Sequence, residues 1–163
     1  MNIEDEKQNI KICSSVIFVM RQYILSKGAF REAGGILIGK ENISNNNLII
    51  KYCTIPYEKD RRSHYKFIRQ DEQHIEFFEK VYDEHKGIYR YVGEWHTHDE
   101  NMPRYSKMDL DNWRRIYKEV VGDSGNLPHY HSVVGKKAFR IWRVTNDLAV
   151  PQLVKTVAWK EMK

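Results

Sequence analysis

Apolar side chains at Ile12, Val16, Val19, Met20, Tyr23 and Ile24 recur at helical spacing, and Gly28 follows where such an element would stop, so residues 10–26 are predicted to form a helix. The period then changes. In REAGGILIGK, Gly34 and Gly35 precede a short apolar run ending at Gly39, the turn-like NISNNN follows, and LIIKYCTI makes a second run. Two neighbouring strands joined by a polar turn are expected. The charged string PYEKDRRSHYKFIR, residues 56–69, has no clear period and is expected to be a surface connection able to carry binding function. Helical spacing returns over residues 70–86, with Ile75, Phe78, Val81 and Tyr82 on one side and Gly87 as the stop.

A third strand is expected in IYRYVGEWHTH. It breaks at DENMPRY, after which SKMDLDNWRRIYKEV resumes helical spacing through Met108, Trp113, Ile116 and Val120, and GDSGNLP supplies closing turn residues. YHSVVG and AFRIWRV predict two more strands joined at Lys136 and Lys137, whereas residues 146–163 carry no pattern that assigns them. Helices interrupt the strands without following each one, which predicts an α/β or α+β fold in which helices flank a mixed sheet. With no repeat, linker or low-complexity tract, 163 residues fit one domain spanning 1–163 and one site.

Four Trp, ten Tyr and six Phe supply more aromatic area than disordered chains carry, so a soluble globular protein is expected. The N-terminal MNIEDEKQNI is acidic and polar where a signal peptide is basic and then apolar, and no apolar run approaches a membrane span; a cytoplasmic protein without a membrane partner is the expectation. Cys13 and Cys53 are too few and too far apart for a disulfide framework or a CxxC knuckle and are expected to be reduced packing residues. A net charge of +5, from 27 basic and 22 acidic residues, permits an acidic partner surface or nucleic acid and decides for neither.

The chemistry concentrates in EWHTH. Side chains alternate along a strand, so Glu94, His96 and His98 project from one face while Trp95 and Thr97 point to the other. Two imidazoles aimed together suit zinc, and a catalytic zinc takes three protein ligands and keeps its fourth position open. Asp109 lies near the start of the next helix, where the loop DENMPRYSKM allows its carboxylate to return to the histidines.

HTH, seven residues and SKMD resemble the JAMM pattern of the JAB/MPN metalloproteases, H-S/T-H-x7-S-x-x-D, with Ser106 and Asp109 on register. EAGGILIG supplies Glu32 where that pattern has a glutamate ahead of a glycine-containing strand. The likeness spans nearly the whole chain, and GEWHTH looks like the compact prokaryotic JAB proteins, including those that accompany antiphage systems with ubiquitin-like conjugation. The resemblance implies a cytidine-deaminase-like core, zinc held by His96, His98 and Asp109, Glu32 as general base and Ser106 as stabiliser of the oxyanion. It implies a zinc-dependent isopeptidase or peptidase acting after the extended C-terminal tail of a ubiquitin-like modifier. Proline usually follows the second histidine in this family and often precedes the serine. Asp99 and Tyr105 stand there, and Asp99 adds a carboxylate beside the metal.

Other readings compete. An HxH pair also arises from two partly buried histidines, Ser106 with Asp109 also forms a helix-capping arrangement, and Glu94 rivals Glu32 as a base because it shares the histidine face. His129 and His131 alternate again but lack a following serine and acid, so they are expected to be structural. His64, His74 and His85 are expected at the surface, and Trp95, Trp113 and Trp142 in the core. The competing functions are a catalytically silent MPN-like scaffold, against which the full ligand set argues, and a nucleic-acid binder suggested by RRSHYKFIR, WRRIYK and the net charge.

Overall fold

The structure, a computed structural model, describes residues 1–4, 8–26, 28–42, 44–124 and 127–162, with the side chains of 121–124 excepted. Ten strands and three helices occur among them: β1 Asn2–Ile3, β2 Ile10–Ile12, α1 Ser14–Ile24, β3 Gly34–Asn42, β4 Asn47–Cys53, β5 Arg61–Ser63, β6 Lys66–Ile68, α2 Gln73–Glu84, β7 Arg90–Thr97, α3 Lys107–Ser124, β8 His129–Val134, β9 Ala138–Val144 and β10 Gln152–Ala158. A 3₁₀ turn, Trp159–Glu161, follows β10. Eight strands form one mixed sheet in the order β1-β2-β4-β3-β7-β8-β9-β10, and β5 with β6 makes a separate antiparallel hairpin. The pairs β2–β4 and β7–β8 are parallel and the rest antiparallel. A parallel pair needs a long crossover between its strands, and α3 supplies it for β7 and β8.

The period-2 pattern sorts the sheet's two faces. Leu37, Trp95, Tyr130 and Val134 pack with Val16, Ile17 and Met20 of α1 on one face. Ile36 and Ile38 meet Val81 of α2 on the other, where Val133 and Trp142 meet Trp113 and Tyr117 of α3. The register of β3 against β7 slips between Leu37 and Ile38, opposite Gly93 and Tyr91. The resulting bulge at Val92 re-aims the strand, so that Glu94 and His96 face α3 while Trp95 is buried against α1. Gly93 is required at that crossing, because a Cβ there would strike the backbone carbonyl of Tyr130.

Several expectations change. Ile10–Ile12 is a strand and not the first turn of α1, because the three residues pair with Leu48, Ile49 and Ile50 before Cys13 turns the chain. The buried side of α2 is set by His74 and Val81, with Ile75 and Tyr82 exposed. His74 is fully buried, contrary to the surface position expected for it. Met108 is exposed at the start of α3, and that helix runs through Gly122 to Ser124; the rest of its expected closing turn falls partly outside the described residues. The segment 56–69 folds into the β5–β6 hairpin, and the unassigned tail supplies β10, the sheet's outer edge, with a register shift between Leu153 and Lys155. Trp95, Trp113 and Trp142 are core residues as expected. No helix among the described residues is long and apolar enough to cross a membrane.

Trp113→Ala is expected to lower the unfolding free energy by about 3–5 kcal/mol in urea titrations, the range for deleting a large buried ring. Met108→Ala, on the same helix but exposed, is expected to change it by no more than about 0.5 kcal/mol.

Candidate metal centre

His96 ends the inward-facing series on β7, and His98 follows two residues later, its backbone N–H donating to Val134 O at 2.9 Å. The intervening Thr97 is fully buried and ties the strand to the segment before β3: its hydroxyl accepts from Ala33 N at 2.9 Å, and its own N–H donates to Ala33 O at 2.8 Å. Glu32 is thereby carried to the histidine side of the sheet edge. Beyond His98 the loop 99–105 is stitched to the β8–β9 turn, where Lys136 N donates to Glu100 O at 2.7 Å and Lys137 N to Asn101 O at 3.0 Å. The stitches return the chain so that α3 starts against the histidines.

At that start Ser106 and Asp109 form a reciprocal capping arrangement. Asp109 N donates to Ser106 Oγ at 3.1 Å, and Ser106 N donates to Asp109 Oδ2 at 2.6 Å. The capping reading of these two residues is therefore realised, and it coexists with a second use of the carboxylate. Asp109 Oδ1 lies 3.1 Å from His96 Nε2 and Oδ2 lies 3.4 Å from His98 Nε2, while the two Nε2 atoms are 3.0 Å apart. Zinc bonds to nitrogen and oxygen of about 2.0–2.1 Å imply edges of about 3.3 Å between donors of a tetrahedron. The observed separations fit that figure, and the donor set of two imidazoles and one carboxylate suits zinc. His96, His98 and Asp109 are the one such metal-capable cluster among the described residues.

Electrostatics favour a cation at this point. Burial works against a charged imidazole at His98, yet Asp109 and Glu32 together raise its pKa. Burial alone would raise the pKa of Asp109, but both imidazoles and the Ser106 amide hold its carboxyl well below the usual carboxylate range. Glu32 behaves oppositely. Buried to 6% exposure, with Oε1 3.8 Å from His98 Nε2, it is pushed by desolvation up to about 7 against the pull of His96 and His98. Glu94, the rival carboxylate, is engaged elsewhere: its Oε1 accepts from Arg69 Nε at 2.7 Å. Ser106 Oγ accepts the Asp109 amide, which leaves its hydroxyl hydrogen free to donate.

The centre opens into a cleft of about 650 Å³ walled by the β5–β6 hairpin on one side and the start of α3 on the other, with Tyr65 and Met108 exposed on the opposing walls. The two departures from the family's prolines have structural roles. Asp99 pairs with Lys136 and, at 3.2 Å, with His64 Nε2 of the hairpin, so its charge is committed across the cleft end. Tyr105 packs its ring 5.3 Å from Trp113 and 5.4 Å from Trp142. His85 is half-buried against Tyr52 and the Val81 carbonyl. His131 is fully buried, stacked 4.7 Å from Trp113, with Nδ1 accepting from Glu94 N at 3.1 Å; His129 lies between Tyr91 and Tyr117. Both are structural histidines. Segment 56–69 lines the cleft, in keeping with the binding role expected of it; Thr97 as a backbone anchor was not expected, and the polar residue between two histidines on a buried strand was the one available signal for it.

Comparison with known proteins agrees with this architecture. The model of the family described as prokaryotic homologs of the JAB domain matches residues 23–145, and the chain belongs to that family. Three similar proteins bear the name CD-NTase/cGAS isopeptidase. The Pseudomonas aeruginosa protein is 29% identical over 69% of this chain and 70% of its own length. The Escherichia coli protein is 28% identical over 90% and 89%, and the Vibrio cholerae protein 29% over 72% and 70%. A solution structure of a Desulfitobacterium hafniense protein shares the fold with a TM-score of 0.52 at 16% identity, over 88% of this chain and 89% of that one.

Burial depresses the pKa of His129 to about 4, helped by the Arg90 charge, and moves that of His131 in the same direction. As pH falls from about 6.5 towards 4 the unfolded chain takes up protons that the folded one refuses, so stability drops with acidification over that window. For His129 alone the full effect is about 3 kcal/mol. Urea unfolding of chelated protein at pH 7 and pH 4.5 is expected to show a smaller acid loss for His129→Gln than for the wild type.

Proposed function

We propose that this chain is a zinc-dependent isopeptidase that cleaves after the extended C-terminal tail of a ubiquitin-like modifier, for deconjugation or precursor processing, with one domain, 1–163, carrying the whole site. The convergence of His96 Nε2, His98 Nε2 and the Asp109 carboxylate within 3.0–3.4 Å, beside the buried carboxylate of Glu32, carries this reading. Three relatives named CD-NTase/cGAS isopeptidase support it, and so does the resemblance to JAB proteins that accompany antiphage conjugation systems. The setting is then antiviral defence in the cytoplasm.

His96, His98 and Asp109 would hold the zinc, which when bound polarises a carbonyl as a Lewis acid and brings water's acidity near neutrality. Glu32 takes a proton from the water that attacks the scissile carbonyl carbon. Burial suits it to the task, since a base near neutral pKa both accepts and returns a proton. Ser106 directs its free hydroxyl hydrogen to the developing oxyanion. As the carbon–nitrogen bond breaks, Glu32 passes its proton to the departing amine, leaving the modifier's carboxylate and a free amino group. β6 runs along the cleft, so an extended tail lying beside it gains backbone hydrogen bonds without a strict sequence requirement.

Purified protein offered tail-linked fusions is expected to cleave them, and to stop when zinc is removed by a chelator. Glu32→Gln is expected to reduce turnover by about 10²- to 10⁴-fold while binding zinc stoichiometrically. Cleavage near the wild-type rate in Glu32→Gln, or cleavage that survives complete removal of zinc, rules the mechanism out.

A further inference from the structure

Glu32 sits outside every helix and strand, in the short stretch that leads into β3, so something other than a sheet ladder must fix it. The β5–β6 hairpin does so. Glu32 N donates to Ser63 O at 2.8 Å, and Glu32 O accepts from Arg62 Nε at 2.7 Å while Arg62 Nη2 donates to Arg31 O at 3.2 Å. The carboxylate takes a hydrogen bond from the Phe67 backbone. The Phe67 ring also lies where a Cβ on Gly34 would come within 2.6 Å of it, so the hairpin seats directly on the start of β3.

The hairpin is anchored in turn by a buried polar chain away from the cleft. Asp60 and His74 side chains are both fully buried, with His74 Nε2 at 2.8 Å from Asp60 Oδ2 and Nδ1 at 2.6 Å from Thr54 Oγ1. An ionised carboxylate only accepts, so His74 Nε2 carries the hydrogen and Nδ1 accepts from the Thr54 hydroxyl. Thr54 Oγ1 accepts in turn from Ile36 N of β3 at 2.9 Å. The other lone pairs of Asp60 gather both ends of the hairpin segment: Tyr57 N at 2.8 Å, Gln70 N at 2.9 Å and Asp71 N at 3.0 Å. One carboxylate thus closes the loop at its base and ties it through His74 and Thr54 to the central sheet.

We infer that Arg62 and the Asp60–His74 pair are positioning residues for Glu32, acting through the hairpin and touching neither metal nor substrate. The inference rests on the reading of Glu32 as the general base. Both backbone polar groups of Glu32 are satisfied by this hairpin, whereas the three metal-facing donors are fixed by β7 and the α3 cap; the Thr97–Ala33 pair joins the two only at the residue after Glu32.

The test uses the zinc-loaded protein and the variants Arg62→Ala, Arg62→Lys and His74→Gln, with amide hydrogen exchange as the readout that needs no turnover. Arg62→Ala, at a half-buried site, is expected to speed exchange of the Glu32 amide at least about tenfold while the His98 and Val133 amides keep their protection. On tail-linked fusions it is expected to lower kcat by about 10- to 100-fold with KM and zinc stoichiometry unchanged, because a displaced base costs rate and not binding. Arg62→Lys recovers part of both losses, and His74→Gln moves them the same way with faster exchange across 57–71. Unchanged Glu32 exchange in Arg62→Ala overturns the inference, as does altered exchange with normal kcat. If the wild type cleaves nothing yet Glu32 exchange responds as expected, the isopeptidase reading fails and the positioning role of the hairpin stands.

Discussion

The site depends on the first turn of α3 being locked against the end of β7. Two imidazoles two residues apart on a strand converge easily, but a carboxylate eleven residues further on reaches them only if the intervening loop has one shape. Contacts from loop 99–105 to the β8–β9 turn supply the shape, and the reciprocal Ser106–Asp109 bonds aim the carboxylate. A bond set that would ordinarily just start a helix here also orients a carboxylate of the candidate metal cluster. The helix's positive end adds to the stability of the Asp109 anion in a place where burial opposes it.

Two carboxylates in one cleft are driven apart in basicity by their surroundings. Asp109 has cationic and amide partners and stays ionised; Glu32 is desolvated and drifts towards neutrality. That separation suits one group for a permanent charge and the other for carrying a proton. Glu94 shares the inward face of β7, but its carboxylate is engaged by Arg69. Different neighbours, and not different residue types, distinguish the acids.

Sequence patterning reached the inner sheet and the alternation that aims His96 and His98, because period-2 burial is strong in β3, β7, β8 and β9. It failed where tertiary pairing overrides local signal. Ile10 and Ile12 continue a helical spacing yet pair with β4, and the short β1 and the edge strand β10 lack a two-faced pattern. His74 stands among charged residues in the chain but is enclosed by Asp60 and Thr54, whose approach only the folded loop creates. Segment 56–69 looked aperiodic because its hairpin strands are three residues long and its order comes from Asp60. The motif itself was legible through its spacing; the reason Asp99 and Tyr105 are tolerated in it was not, since Lys136, His64, Trp113 and Trp142 are distant in sequence.

The outer rim formed by β10 has a consequence for how these molecules behave when crowded. A free ladder of amides and carbonyls bordered by the exposed Leu148, Val150 and Leu153 would invite neighbouring copies to pair edge to edge. Pro151 withholds a donor at the strand's entrance, the irregularity between Leu153 and Lys155 breaks the repeat, and the Lys155 ammonium makes close approach of a second identical rim repulsive. Greasy side chains on this border are thus flanked by a missing donor, a broken repeat and a like charge, features that work against edge-to-edge growth.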